Sequence, residues 1–233
     1  MAIFFTGNEF YDEPGVIESF HRPFMKKERE LTEEDIENGY FDVPEIPDNG
    51  LMKRTLIDNF NQKVHHGDMT FHIGDFGNLK VVDELNGDHY LICGDCEYDT
   101  IKKKFSGDFE KFRNYVKSRY NFIDVYRTHE MMFQIRTPQA FYKYEIPNTN
   151  PLSVKLFMGH MYSRTPKTMD SSPTKQIFSL LNGYLDAKKY DFSDWMLNPG
   201  VDVHHFFPIS EKDMNEYILE AIEIGKFREF KGV

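Results

Sequence analysis

Ala2-Ile3-Phe4-Phe5-Thr6 is an apolar run that stops at Gly7-Asn8, the pattern of a buried first strand ending in a turn. From Leu51 to Val64, the residues Met52, Leu56, Phe60 and Val64 recur four apart, which predicts a helix with one apolar face. Met69 to Ile73 reads as the next strand and is broken by Gly74-Asp75-Phe76-Gly77. Leu85-Asn86-Gly87 then turns the chain into His89-Tyr90-Leu91-Ile92-Cys93, which ends at Gly94-Asp95. A further helix is predicted from Phe105 to Tyr120, with Phe109, Phe112, Val116 and Tyr120 on one side. Met131–Ile135 and Val154–Met158 are short apolar runs ending at Arg136-Thr137-Pro138 and at Gly159-His160. Two stretches interrupt this alternation. Glu28 to Gly50 is acidic and broken by Pro44 and Pro47; it reads as a surface excursion with one short helix near Thr32–Gly39, started by a Thr32 and Asp35 capping box. Thr165 to Asp194 carries Pro166, Pro173 and a helix expected at Gln176–Leu185.

Five predicted strands thus end in a polar residue beside Gly or Pro. Strands alternating with helices indicate a layered α/β protein, in which ligand sites form where loops leave the carboxyl ends of strands. Asn8, Asp75, Asp95, Arg136 and His160 are therefore expected around one cleft.

The chain has 233 residues, enough for one large core, and 40% hydrophobic residues with 22 Phe and 13 Tyr exclude an extended disordered chain. Lys plus Arg number 28 against 38 Asp plus Glu, a formal charge of -10, which disfavours sequence-independent nucleic-acid binding and attraction to anionic lipid. Lys102-Lys103-Lys104 is short and reads as a solvated run. No stretch approaches the about 20 apolar residues of a membrane span, and the first residues lack a secretory signal pattern, so a cytoplasmic location is expected. Cys93 and Cys96 are the two cysteines, too few for a disulfide framework; their Cys-x-x-Cys spacing lacks the context of a redox or zinc unit. His65-His66 is expected in a surface turn, and in a strand the adjacent His204 and His205 would face opposite ways, so neither pair forms a ligand set alone. Arg22 and Phe24 are assigned to packing, the alternative for Arg22 being that it faces a substrate.

The order Ile3-Phe4-Phe5-Thr6-Gly7-Asn8, Arg22-Pro23-Phe24, His72-Ile73-Gly74-Asp75-Phe76, Leu91-Ile92-Cys93-Gly94-Asp95, Leu156-Phe157-Met158-Gly159-His160 and Leu197-Asn198-Pro199-Gly200-Val201-Asp202 resembles the calcineurin-like metallophosphoesterases, above all the small bacterial and bacteriophage type. The resemblance implies one domain over 1–233, with insertions near 28–50 and 165–194. Its fold would be a four-layer α/β/β/α sandwich of two mixed β-sheets flanked by helices. In that family two divalent metals, bridged by a carboxylate, activate water and hold the phosphoryl oxygens.

Most of the implied ligand positions are altered here. Asn8 stands where the family has a carboxylate and Phe10 where it has an imidazole; Asp75 matches the bridging carboxylate. Asp95 and Cys96 take the place of an Asn-His pair, Arg136 the place of an isolated histidine, and Gly-His-x-His becomes Gly159-His160-Met161-Tyr162. One metal position, served by Asn8, Phe10, Asp75 and Tyr162, is expected empty. The other retains Asp75, Asp95 and His160 against the adverse charge of Arg136. The resemblance, read with these changes, implies a pseudo-phosphoesterase without a cofactor, directed at a host or cellular protein or at a nucleotide whose phosphate meets Arg136. The alternative is a phosphoesterase or phosphodiesterase with one Mn, Zn or Mg ion on Asp75, Asp95 and His160.

Overall fold

The structure is a computed structural model that describes residues 1–127, 130–134, 154–158, 195–197, 199–214 and 216. Strand β1 (Ile3–Thr6) pairs in parallel with β4 (Met69–Ile73), β4 with β5 (Asp88–Ile92), and β5 with β6 (Phe122–Tyr126). The short β10 (Ile209–Ser210) closes the β1 edge antiparallel, giving a mixed sheet of order β10-β1-β4-β5-β6. Helix α3 (Asn49–Lys63) lies in the β1-to-β4 connection, a 3-10 helix (Leu79–Glu84) joins β4 to β5, and α4 (Asp95–Lys104) with α5 (Phe109–Arg119) joins β5 to β6. Parallel pairing requires such crossovers. A second sheet holds β7 (Glu130–Gln134), antiparallel to β8 (Val154–Met158), and β9 (Trp195–Leu197), parallel to β8.

The core follows from the predicted faces. Met52, Leu56, Phe60 and Val64 are all buried on the α3 side, and Phe109, Phe112 and Val116 on α5, around Phe4, Leu91 and Val125 of the strands. In-register positions on neighbouring strands stack Phe5 on Phe71 at 5.7 Å and Phe71 on Tyr90 at 5.0 Å. The excursion from Glu28 to Gly50 contains the expected helix, α2 (Glu33–Glu37), with both capping-box bonds between Thr32 and Asp35 present. A hairpin of β2 (Met25–Lys27) and β3 (Glu45–Pro47) anchors it. One short helix, α1 (Val16–Ser19), completes the described elements before it.

One reading is corrected. The helix predicted from Phe105 begins at Phe109, because Ser106 and Gly107 both take the left-handed conformation and end α4. The segment after Gly94-Asp95 is α4 itself, with Lys102, Lys103 and Lys104 exposed in its last turn, where cations complement the helix dipole. Among the described residues no helix is long and apolar enough to cross a membrane. The segment from Thr165 to Asp194 lies outside the described residues.

Candidate functional site

The carboxyl ends of β1, β4 and β5 converge. Asn8, Phe10 and Asp12 after β1, and Asp75 after β4, all have φ between 53° and 59°, a left-handed conformation that costs such side chains about 1 kcal/mol or more each. Backbone pairing offsets that cost. Asn8 N donates to Gly74 O (3.0 Å), Phe10 N to Asp75 O (2.9 Å), Tyr11 N to Phe76 O (2.9 Å) and Asn78 N to Tyr11 O (2.8 Å), so the two loops are zipped together beyond their strands. Only glycine fits at the closest approaches: a Cβ on Gly77 would lie 2.5 Å from Tyr11 O, and one on Gly94 2.5 Å from Asp75 N.

The residues at this junction are polar yet buried. Asn8, Glu9, Arg22, Asp75 and Glu97 are each at most 3% exposed. The Arg22 guanidinium forks onto Asp202, with Nε and Nη2 both at 2.8 Å from its carboxylate oxygens. It also donates to Asn8 O (2.6 Å) and Glu9 O (3.1 Å). The assignment of Arg22 to packing therefore holds in a stronger form, since it ties the β1 loop to the segment before β10. Phe10 is buried, stacked on Phe20 at 5.3 Å, with the Arg22 guanidinium 5.8 Å from its ring centre.

The two buried carboxylates beside β5 hold backbone. Asp75 Oδ1 accepts from Cys96 N at 3.0 Å at the start of α4. Glu97 accepts from Gly94 N (2.7 Å), Asp75 N (3.1 Å) and Phe76 N (3.0 Å), so one side chain pins the loops after β4 and β5. Burial, with the Asp75 charge adding to it, raises the Glu97 carboxyl to about 7. Asp95 is exposed as the first residue of α4. The thiols of Cys93 and Cys96 are pushed well above the usual range, chiefly by burial, which suppresses the thiolate that redox or metal chemistry needs. Of the residues expected around one cleft, Asn8 and Asp75 meet at the bonded loop junction and Asp95 lies beside it; Arg136 and His160 lie outside the described residues, as does the altered ligand position Tyr162. Among the described residues there is no cluster of three or more His, Cys, Asp or Glu arranged to hold a metal ion.

Directly beneath lies a buried polar chain that the sequence reading missed. Glu9 Oε1 is 2.7 Å from His72 Nδ1, His72 Nε2 is 3.0 Å from His89 Nδ1, and His89 Nε2 is 3.4 Å from Leu85 O. The carbonyl can only accept, so His89 Nε2 carries hydrogen. A neutral His89 then accepts at Nδ1, His72 donates from Nε2 and accepts at Nδ1, and Glu9 must donate. The surroundings agree: burial raises the Glu9 carboxyl to about 8 and lowers both imidazoles to about 3. The signal was weak because His72 and His89 occupy strand positions where an apolar residue is usual. Glu9 sits in an irregular turn, and Glu97 opens a helix behind Gly94 instead of behind Ser or Thr.

A carboxyl that is protonated in the fold and ionised in the unfolded chain weakens the fold as pH rises from about 4.5 to about 8. Glu9→Gln keeps a donor toward His72 and removes this titration. Its urea midpoint should match the parent at pH 5 and exceed it at pH 8.5; a difference independent of pH would mean that the chain runs the other way. His204 is buried and His205 exposed in the turn after Asp202, and His65 and His66 are both exposed beyond α3.

No protein-family model matches the chain, and no curated protein is significantly similar to it. A crystal structure of a protein of unknown function from Aquifex aeolicus is similar at 13% identity and a TM-score of 0.39, over 92% of this chain and 98% of that one. A likeness of that degree carries no functional argument.

Proposed function

We propose that the chain is a degenerate metallophosphoesterase-like protein, a four-layer α/β/β/α sandwich, that acts by binding another molecule and has lost two-metal hydrolysis. The observation that carries this reading is the place of Phe10. Where the resembling family has an imidazole, this side chain is a benzyl group packed against both Phe20 and Arg22. Asp75 and Glu97 add to it, because each carboxylate is engaged by backbone amides. Two metals act together in the family's chemistry, one supplying hydroxide and both neutralising the phosphoryl group, so losing one position removes most of the rate. The net charge of -10 favours a basic protein partner, which for a chain of bacteriophage type would be a host protein.

With manganese added, the purified protein should not hydrolyse generic phosphomonoesters or phosphodiesters above the metal-only background. Turnover that Asp75→Asn abolishes would reject this reading and favour the single-metal enzyme on Asp75, Asp95 and His160.

A further inference from the structure

A cavity of about 580 Å³ lies among the loops after β1 and β4, the second half of α4, and α5. Asn8, Asp75 and Asp95 do not line it, but Tyr11, Asp12, Gly77 and Asn78 of the zipped loops do, so it opens on the outer side of the strand-end junction. One wall is aromatic. Phe105 packs on Tyr115 with centroids 5.2 Å apart, and Tyr115 on Tyr120 at 6.1 Å, while all three remain partly exposed. The other lining groups differ in charge. Lys104 is exposed, Glu13 is half-buried, and among the described residues neither has an ion-pair partner. Asn78 is fixed in place, donating to Asp12 Oδ2 at 2.6 Å and accepting from Lys80 N at 3.2 Å.

The chemistry of an occupant follows by elimination. A simple cation meets the Lys104 ammonium, and one face of Tyr115 already carries the Arg119 guanidinium at 5.3 Å. A simple anion meets Glu13 and, beside it, Asp12, whose carboxylate is paired with Lys53 at 3.2 Å. A hydrophobic guest would leave both charges without partners. A guest with a planar ring, hydroxyl donors and an anionic group uses all three features: ring on aromatic wall, hydroxyls on a carboxylate, anion on the ammonium. The volume lies in the range of about 300–1,000 Å³ usual for small-molecule sites.

We propose that this cavity binds a nucleoside monophosphate, with its base stacked on Tyr115 and meeting Tyr120, whose ring stands at 75° to that of Tyr115, its ribose hydroxyls on Glu13 and its phosphate on Lys104. The proposal is independent of the phosphoesterase reading. Isothermal titration of the full chain with AMP, CMP, adenosine, ribose 5-phosphate and phenylalanine tests it. AMP or CMP should bind, with adenosine and ribose 5-phosphate each weaker by about tenfold or more, and Tyr115→Leu and Lys104→Glu should each weaken the nucleotide about tenfold. Lys104 is exposed, so its substitution leaves the fold intact even where Tyr115→Leu disturbs α5. The proposal is overturned if neither nucleotide binds at millimolar concentration, if phenylalanine binds more tightly than either, or if Lys104→Glu leaves nucleotide affinity unchanged.

Discussion

Arg22→Met should unfold at a much lower urea concentration than the parent, with a loss of about 3–5 kcal/mol. The guanidinium side chain is fully buried and its Asp202 partner only 12% exposed, so removing the cation strands a carboxylate in a poorly solvated place. It also leaves the carbonyls of Asn8 and Glu9 without their donors. Two effects separate in the variants. Arg22→Lys keeps the charge and loses the two-pronged geometry, because an ammonium cannot reach both Asp202 oxygens and both carbonyls in one plane. It should fall between the parent and Arg22→Met. Asp202→Asn in the Arg22→Met background should cost little further, since the stranded charge is then gone. A loss below about 1 kcal/mol in Arg22→Met, the level of an exposed ion pair, would mean that the β1 loop does not depend on this bridge.

The parts of the fold visible in the sequence were those where a single physical rule acts locally. Met52, Leu56 and Phe60 revealed α3 because one face of that helix is apolar, and Met69–Ile73 was readable as a strand because Gly74 ends it abruptly. Thr32 and Asp35 revealed α2 because a capping box is a contiguous pattern. Helix α4 escaped because it is mostly polar outside Ile101 and its half-buried Cys96, and because it begins behind a glycine. Strand β6 escaped for a different reason: in Phe122-Ile123-Asp124-Val125-Tyr126, Ile123 is exposed and Asp124 is drawn to Arg113 of α5, so no apolar alternation marks it.

The junction was legible only as a list of strand-end residues. Sequence spacing identified Asn8, Phe10 and Asp75. It could not indicate that Glu9, His72, His89 and Glu97 are the buried polar groups around them, since burial there depends on the register of three strands. His72 stands opposite Leu91 and His89 opposite Thr70, and that pairing brings the two imidazoles within hydrogen-bond reach. The aromatic wall at Phe105, Tyr115 and Tyr120 was equally hidden, because it needs the turn between α4 and α5 at Ser106-Gly107 to bring the helices together.

Glu97→Ala should be as damaging, by about 3 kcal/mol or more, because three buried backbone amides lose their acceptor at once and each costs about 1–3 kcal/mol when left unsatisfied. The effect should be local first: amide exchange at Gly94, Asp75 and Phe76 should accelerate before the rest of the sheet does. Glu97→Gln is the sharper variant. It retains one acceptor oxygen but turns an NH₂ group toward an amide that needs an acceptor, so it should also destabilise. Its pH dependence has a definite sign. The Glu97 carboxyl is raised to about 7 in the fold, so the parent holds a proton that the unfolded chain has released, and its stability declines as pH rises from about 4.5 to about 7. Gln does not titrate. The gap between parent and Glu97→Gln should therefore be wider at pH 5 than at pH 8, read as the difference in urea midpoints. A gap that widens toward pH 8 would mean that the carboxylate form is the one the three amides select, with hydrogen bonding outweighing burial at the point where the β4 and β5 loops meet.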